Sequence, residues 1–239
     1  MTDVHGQSVA QVRARLAAPK RRGHLRDAVY GGMDGTVTTF ALVSGVAGAG
    51  LADSVIVALG VANVLADGFS MAAANFSGAK SERDDQRRIR DIEEREIAED
   101  PAGEQLELQE ILRAKGLEGP VLASATAAIT RNREKWIEIM LIDEYGLSPT
   151  DPRPVHATAA TFIAFVAAGS VPLLPFLLGL EDAFLKSLVA ALCVFFLIGS
   201  LKNRWALAPW WQGGIETLTI GSVAALIAYM IGSLFQVML

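Results

Sequence analysis

ADGFSMAAANFSGA, residues 66–79, runs directly into KSERDDQRRIRDIEEREIAE, residues 80–99, with no proline between them. The first stretch is small and apolar, and the second is one of the most polar in the chain. Helix propensity is good throughout the second, and nothing between Val55 and Asp100 forces a break. The join therefore predicts one helix that begins in an apolar environment and ends in water. At ~1.5 Å per residue, the charged portion alone would extend roughly 30 Å.

Charge along the chain is distributed accordingly. Residues 80–151 hold 18 Asp/Glu and 11 Lys/Arg, out of 26 and 21 in the whole chain of 239. An acidic excess of this kind suits a cationic partner and excludes nucleic acid. The rest is apolar enough to lift the hydrophobic fraction to 51% and the mean hydropathy to +0.35. Segments near the ~20 residues needed to cross a bilayer occur at 28–50, 55–79, 156–179, 183–201 and 213–237. The expected fold is an all-α membrane protein of five transmembrane helices, with a cytosolic helical metal-binding domain inserted between the second and third. Its expected parts are a cytosolic arm (1–27), helices 1–2 (28–79), the acidic domain (80–152) and helices 3–5 (153–239).

Basic residues set the expected orientation. Lys20, Arg21, Arg22 and Arg26 precede the first span, Lys80, Arg83, Arg87 and Arg88 follow the second, and Lys202 and Arg204 separate the fourth from the fifth. By the excess of Lys and Arg in cytoplasmic loops, the N-terminus and the acidic insert lie inside and the C-terminus outside. Met1 to Arg26 has no apolar core of a signal peptide, and SVAQVRARLAA (8–18) reads as a short surface helix or a loose arm. The single cysteine, Cys193, excludes an internal disulfide and a Cys-based metal cluster and is expected to be buried.

Within the insert, Pro101 and Gly103 interrupt after Glu99, and EQLELQEILRAK (104–115), VLASATAAIT (121–130) and REKWIEIMLIDEY (133–145) read as three further helices. On the first, Glu82, Asp85, Glu93 and Glu96 fall within about 80° of one another at ~100° per residue. Four acids on one stripe repel unless a cation sits between them, and hard divalent cations take oxygen ligands. Met140 and Glu144 share a face of the last helix, beside Glu134 and Glu138; a thioether among carboxylates suits a transition metal better than Ca²⁺ or Mg²⁺. The plainer reading of such a run is a solvated helix laced with ion pairs.

Acids also occur inside the apolar segments. Asp34 lies early in the first, and Asn63, Asp67, Ser70 and Met71 share a face of the second. A charge at mid-bilayer costs ~2.5–3.5 kcal/mol on insertion scales, so such residues usually line a pathway or face a bundle interior. Pro172 and Pro175 in the third segment remove two N–H donors and predict a kink.

Taken together, DGTVTTFALVSGVAGA (34–49), LADGFSMAAANFSGAKSE (65–82), WIEIMLIDEYGL (136–147) and GSVPLLPFLL (169–178) resemble the vacuolar iron transporter family, from about Leu25 to the C-terminus. The resemblance implies five membrane helices per subunit, a homodimer with the pathway at its two-fold interface, and a cytosolic three-helix metal-binding domain. It implies export of Fe²⁺, often Mn²⁺ as well, from the cytosol in exchange for protons. Asp34 and Met71 match the family's pathway residues, to which Asn63 and Asp67 are added as lining candidates. Glu82, Asp85, Glu93, Glu96, Met140 and Glu144 match its metal-domain ligands. Departures are Leu141 where a second Met is common, Asp85 for Glu, and Asn63 where eukaryotic members carry an acid.

The expected partners are thus divalent metal ions, protons, membrane lipid and a second copy of the chain. Fe²⁺ is substrate rather than prosthetic group, and ligand type leaves Mn²⁺, Co²⁺ and Zn²⁺ open. A bacterial plasma membrane fits the compact loops, or a vacuolar membrane in a eukaryote. The transporter reading makes the chain no enzyme, whereas the competing reading is a membrane-anchored ferritin-like protein that binds or oxidises iron without transporting it. That chemistry uses Glu-x-x-His pairs, and His5, His24 and His156 all lie outside the acidic segment.

Overall fold

The computed structural model describes residues 8–17, 23–148, 152–203 and 208–238; Lys20, Arg21, Arg22 and Arg204, used above for orientation, lie outside them. All regular elements among the described residues are helical: α1 (Val9–Ala17), α2 (Leu25–Gly48), α3 (Asp53–Glu99), α4 (Pro101–Ala114), α5 (Gly119–Thr130), α6 (Arg133–Asp143), α7 (Pro154–Ser170), α8 (Leu174–Leu177), α9 (Ala183–Asn203) and α10 (Trp210–Met238). The predicted continuity holds, since α3 is a single helix of 47 residues. The chain divides into two compact units, one of residues 23–79 and 153–239, the other of residues 80–152 with α1 grouped beside it.

In the first unit α2 packs against α7, α9 and α10. Close approach is possible because the crossing points lack side chains. A Cβ on Gly35 would lie 2.5 Å from the Phe165 carbonyl oxygen, and one on Gly169 would lie 2.8 Å from that of Gly35. Phe40, Val43, Ile56, Val64, Leu173, Ala191 and Phe195 form the buried cluster, with Phe40 and Phe195 edge to face at 6.4 Å. Four described helices are long and apolar enough to cross a membrane: α3, α7 continued through α8, α9 and α10. The helix expected to be the first span, α2, forms over 24 residues but is not among those four. Its buried face combines Val29, Phe40 and Val43 with Gly31, Gly32, Gly35, Thr36, Thr39, Ser44 and Gly48, so small and hydroxyl residues that allow close packing dilute its apolarity.

The proline segment breaks α7 into one 3-10 turn, Val171–Leu173. Pro172 and Pro175 cannot donate to Ala168 and Val171, and the N–H groups of Val171 and Leu174 bind those two carbonyls instead. Cys193 is exposed on α9, against expectation. The apolar outer face of a membrane helix meets lipid, so an apolar sequence context does not imply burial within the protein.

The second unit is a helical lobe in which α4, α5 and α6 pack with the end of α3, matching the segmentation expected from Pro101 and the glycines. Ile97, Leu108, Leu112, Leu122, Trp136, Ile137 and Met140 make its core. Asp100 caps α4 by accepting from the Gly103 N–H at 3.0 Å, with Pro101 in the first turn. Asn132 caps α6 through the Lys135 N–H at 3.2 Å. These caps fix where each helix begins and so which carboxylates face one another.

Candidate metal-handling sites

The lobe sorts its acids into two kinds. Some are matched by bases. Asp85 accepts from Arg88 at 2.8 Å, Arg90 binds Glu94 at 3.2 Å and also reaches Glu134, and Lys135 binds Glu138 at 2.5 Å. Glu134 and Glu138, the acids noted beside Met140 and Glu144, are therefore held in ion pairs.

A second set clusters without bases. Glu93 on α3 is 1% exposed and Glu104 in the first turn of α4 is 7% exposed, and Oε2 of each has no hydrogen-bond partner. Glu96 on α3, Glu107 on α4 and Glu144 just past α6 are exposed around them and act on them electrostatically. Burial first, then the neighbouring carboxylates Glu144, Glu96 and Glu107, push Glu93 up to about 7. Burial, then Glu93, Glu107, Glu96 and Glu144, push Glu104 up to about 7. Burial and then Glu107 and Glu96 raise Glu144 as well. The Tyr145 phenol hydrogen-bonds to Glu93 and Glu144, which favours their charged forms and partly opposes the rise.

Three expected ligands, Glu93, Glu96 and Glu144, thus come together. The sequence reading missed Glu104, Glu107 and Tyr145. Asp85 is instead in its pair with Arg88, and Glu82 is half-buried about three turns before Glu93. Met140 is fully buried in the lobe core one turn before Glu144, whose N–H its carbonyl accepts at 3.0 Å. Among the described residues no three His, Cys, Asp or Glu side chains converge closely enough to hold a metal ion as they stand. The arrangement is an acidic basin with two buried, underbonded carboxyls, which a divalent cation would draw together.

In the membrane unit, Asp34 on α2 and Asp67 on α3 are both exposed and within electrostatic range of each other. Asn63 is half-buried with its Nδ2 unpartnered, and Met71 is half-buried two turns further on. A polar bridge unforeseen from sequence ties three helices near this face. Asn75 of α3 donates to Asp27 of α2 at 3.2 Å and to Thr161 of α7 at 2.5 Å. Asp27 also meets His24 at 3.3 Å, and His24 stacks on His156 with ring centroids 5.8 Å apart. His24 and His156 are therefore engaged in the membrane unit rather than among the lobe carboxylates; His5 lies outside the described residues.

A sequence model of the VIT family matches residues 25–233. Vacuolar iron transporter 1 of Arabidopsis thaliana is 33% identical over 215 residues, covering 89% of this chain and 86% of the plant protein. Vacuolar iron transporter 1 of Tulipa gesneriana is likewise 33% identical over 215 residues, at 89% and 87% coverage. The vacuolar iron transporter of Toxoplasma gondii is 31% identical over 225 residues, at 89% and 74%. All three are named as transporters, not enzymes.

Proposed function

Because the chain belongs to the VIT family, we propose that this membrane transporter carries Fe²⁺ out of the cytosol in exchange for protons. In this reading α2 is a fifth span, completing the four apolar ones, and the N-terminus and acidic lobe are cytosolic. The lobe captures the ion through Glu93, Glu96, Glu104, Glu107 and Glu144, with Glu82, Asp85 and the Met140 thioether as further candidates. The ion then passes along Asp34, Asn63, Asp67 and Met71.

The observation that carries the proposal is the pair of exposed carboxylates Asp67, on the apolar part of α3, and Asp34, on α2 packed within the same unit. Acyl chains cannot solvate them, so they need water, a cation or another protein surface. A second copy of the chain would enclose them, giving a homodimer with the pathway between subunits. Mn²⁺, Co²⁺ and Zn²⁺ share enough ligand chemistry to compete.

Capture and proton release are linked in the lobe. Glu93 and Glu104 hold protons below about 7, and a metal ion must displace them, so binding tightens as pH rises through that value. The test is Fe²⁺ uptake into proteoliposomes by the intact chain and by Asp34→Asn, with insertion and dimer formation checked for both. The variant is expected to lose uptake by at least about tenfold, the equivalent of ~1.4 kcal/mol. Uptake at the normal rate would remove Asp34 from the pathway.

A further inference from the structure

We propose that α1 is an interfacial helix that lies on an anionic phospholipid surface beside the first membrane helix. It is nine residues long and packs extensively on no other helix. Isolated helices of that length are marginal in water, yet this one starts with a complete local cap. Ser8 Oγ accepts from the Gln11 N–H at 3.3 Å, while Gln11 Oε1 accepts from the Ser8 N–H at 3.3 Å and from the Ser8 hydroxyl at 2.8 Å. That reciprocal pair is a capping box. It secures the helix end without tertiary contacts and leaves the side faces free.

Those faces are amphipathic in the manner of a helix lying flat in a headgroup layer. At ~100° per residue, Val9, Val12 and Leu16 fall within about 60° of one another. Arg13 lies about 70° to one side of their centre, Arg15 about 90° to the other, and Ala14 lies nearly opposite. Val9 is 66% and Leu16 71% exposed and Val12 between them is half-buried, so protein leaves both ends of the ridge open. Arginines flanking an apolar ridge can sink their methylenes while the guanidinium groups stay at phosphate level.

Charge and tether select the occupant. From Val4 to Arg26 the sequence carries Arg13, Arg15, Lys20, Arg21, Arg22 and Arg26 and no Asp or Glu. Each basic residue brought to an anionic surface raises occupancy roughly fivefold at physiological salt. Seven residues separate Ala17 from Leu25, so α1 can stray no further than about 28 Å from the start of α2. An acidic lobe could attract the same charge, but it would not account for an exposed apolar ridge.

The test uses the full chain with Cys193→Ser, carrying a single cysteine through Leu16→Cys or Ala14→Cys, labelled with an environment-sensitive fluorophore. Each protein is reconstituted into phosphatidylcholine vesicles with or without phosphatidylglycerol. The Leu16 label should become apolar and shielded from iodide in the phosphatidylglycerol vesicles, and Arg13→Glu with Arg15→Glu should reverse this. The Ala14 label should stay open to iodide in both. Equal iodide access at the two positions in anionic vesicles would overturn the proposal. So would shielding of Leu16 that persists in detergent without lipid, which would place α1 on protein.

Discussion

The two sets of carboxylates in the lobe are close in sequence and opposite in design. Glu94 has Arg90 beside it, and Arg90 also holds Glu134; Asp85 has Arg88. Glu93, one residue before Glu94, faces only other acids and a phenol. One residue step, about 100° of helix, therefore separates a charge that is neutralised in the resting protein from one that is left wanting a cation. Exposed ion pairs contribute little, ~0–1 kcal/mol each. Crowded buried carboxyls are different, because they cost stability whenever they ionise without a partner.

The largest effect should come from emptying the basin. Glu93→Gln combined with Glu104→Gln should weaken Mn²⁺ or Fe²⁺ binding to the intact protein about 100-fold, or ~2.7 kcal/mol, measured by calorimetry in detergent. The same variant should melt at a higher temperature than the parent in metal-free buffer above neutral pH, because two buried charges have gone. A variant that loses both metal binding and stability would point to a merely structural role.

Stability against pH sharpens the contrast next. In the folded lobe Glu93 and Glu104 titrate near 7, above the ordinary carboxylate value that they regain on unfolding. Between those values the folded state holds more protons. Its stability is therefore highest at low pH within this window and declines as pH rises through about 7. Metal-free protein should melt several degrees lower at pH 8 than at pH 6, and Mn²⁺ should restore the loss. A melting temperature that rises across the window would break the account of the basin.

Tyr145→Phe is a smaller probe. Loss of the phenol hydrogen bond should raise Glu93 further and weaken metal binding at neutral pH by roughly three- to tenfold, the scale of one hydrogen bond. The smallest effect is expected at Glu134→Gln, whose exposed pair with Arg90 should change metal affinity by less than about threefold. Asp85→Asn decides between two readings of its position. An effect as small as that of Glu134→Gln leaves it an ion-pair partner, and one as large as that of Glu93→Gln makes it a ligand.

Much of this was legible from residue order. The absence of a breaker between Val55 and Asp100 gave α3, Pro101 and the later glycines gave the lobe helices, and the angular clustering of acids on α3 gave the Glu93–Glu96 face. Glu104 and Glu107 were not legible on those terms, because a helical wheel indexes one helix only. The turn at Asp100–Pro101 starts a new axis, and only the capped start of α4 brings Glu104 back toward Glu93. Their own three-residue spacing beside Leu108 and Leu112 was the signal available. Cys193 was misplaced because apolar context means lipid, not protein core, on the outside of a membrane helix. The Asp27–Asn75–Thr161 bridge depends on three helices meeting, which no local pattern encodes.

The central claim is coupled transport, and simultaneous readout of metal and proton tests it most directly. Proteoliposomes with an acidic lumen, loaded with a pH dye and an Fe²⁺-quenched dye, would be given external Fe²⁺. The account predicts lumenal Fe²⁺ accumulation together with lumenal alkalinisation, both greatly reduced by Asp34→Asn. Fe²⁺ binding without accumulation, or accumulation with no change in lumenal pH, would contradict it.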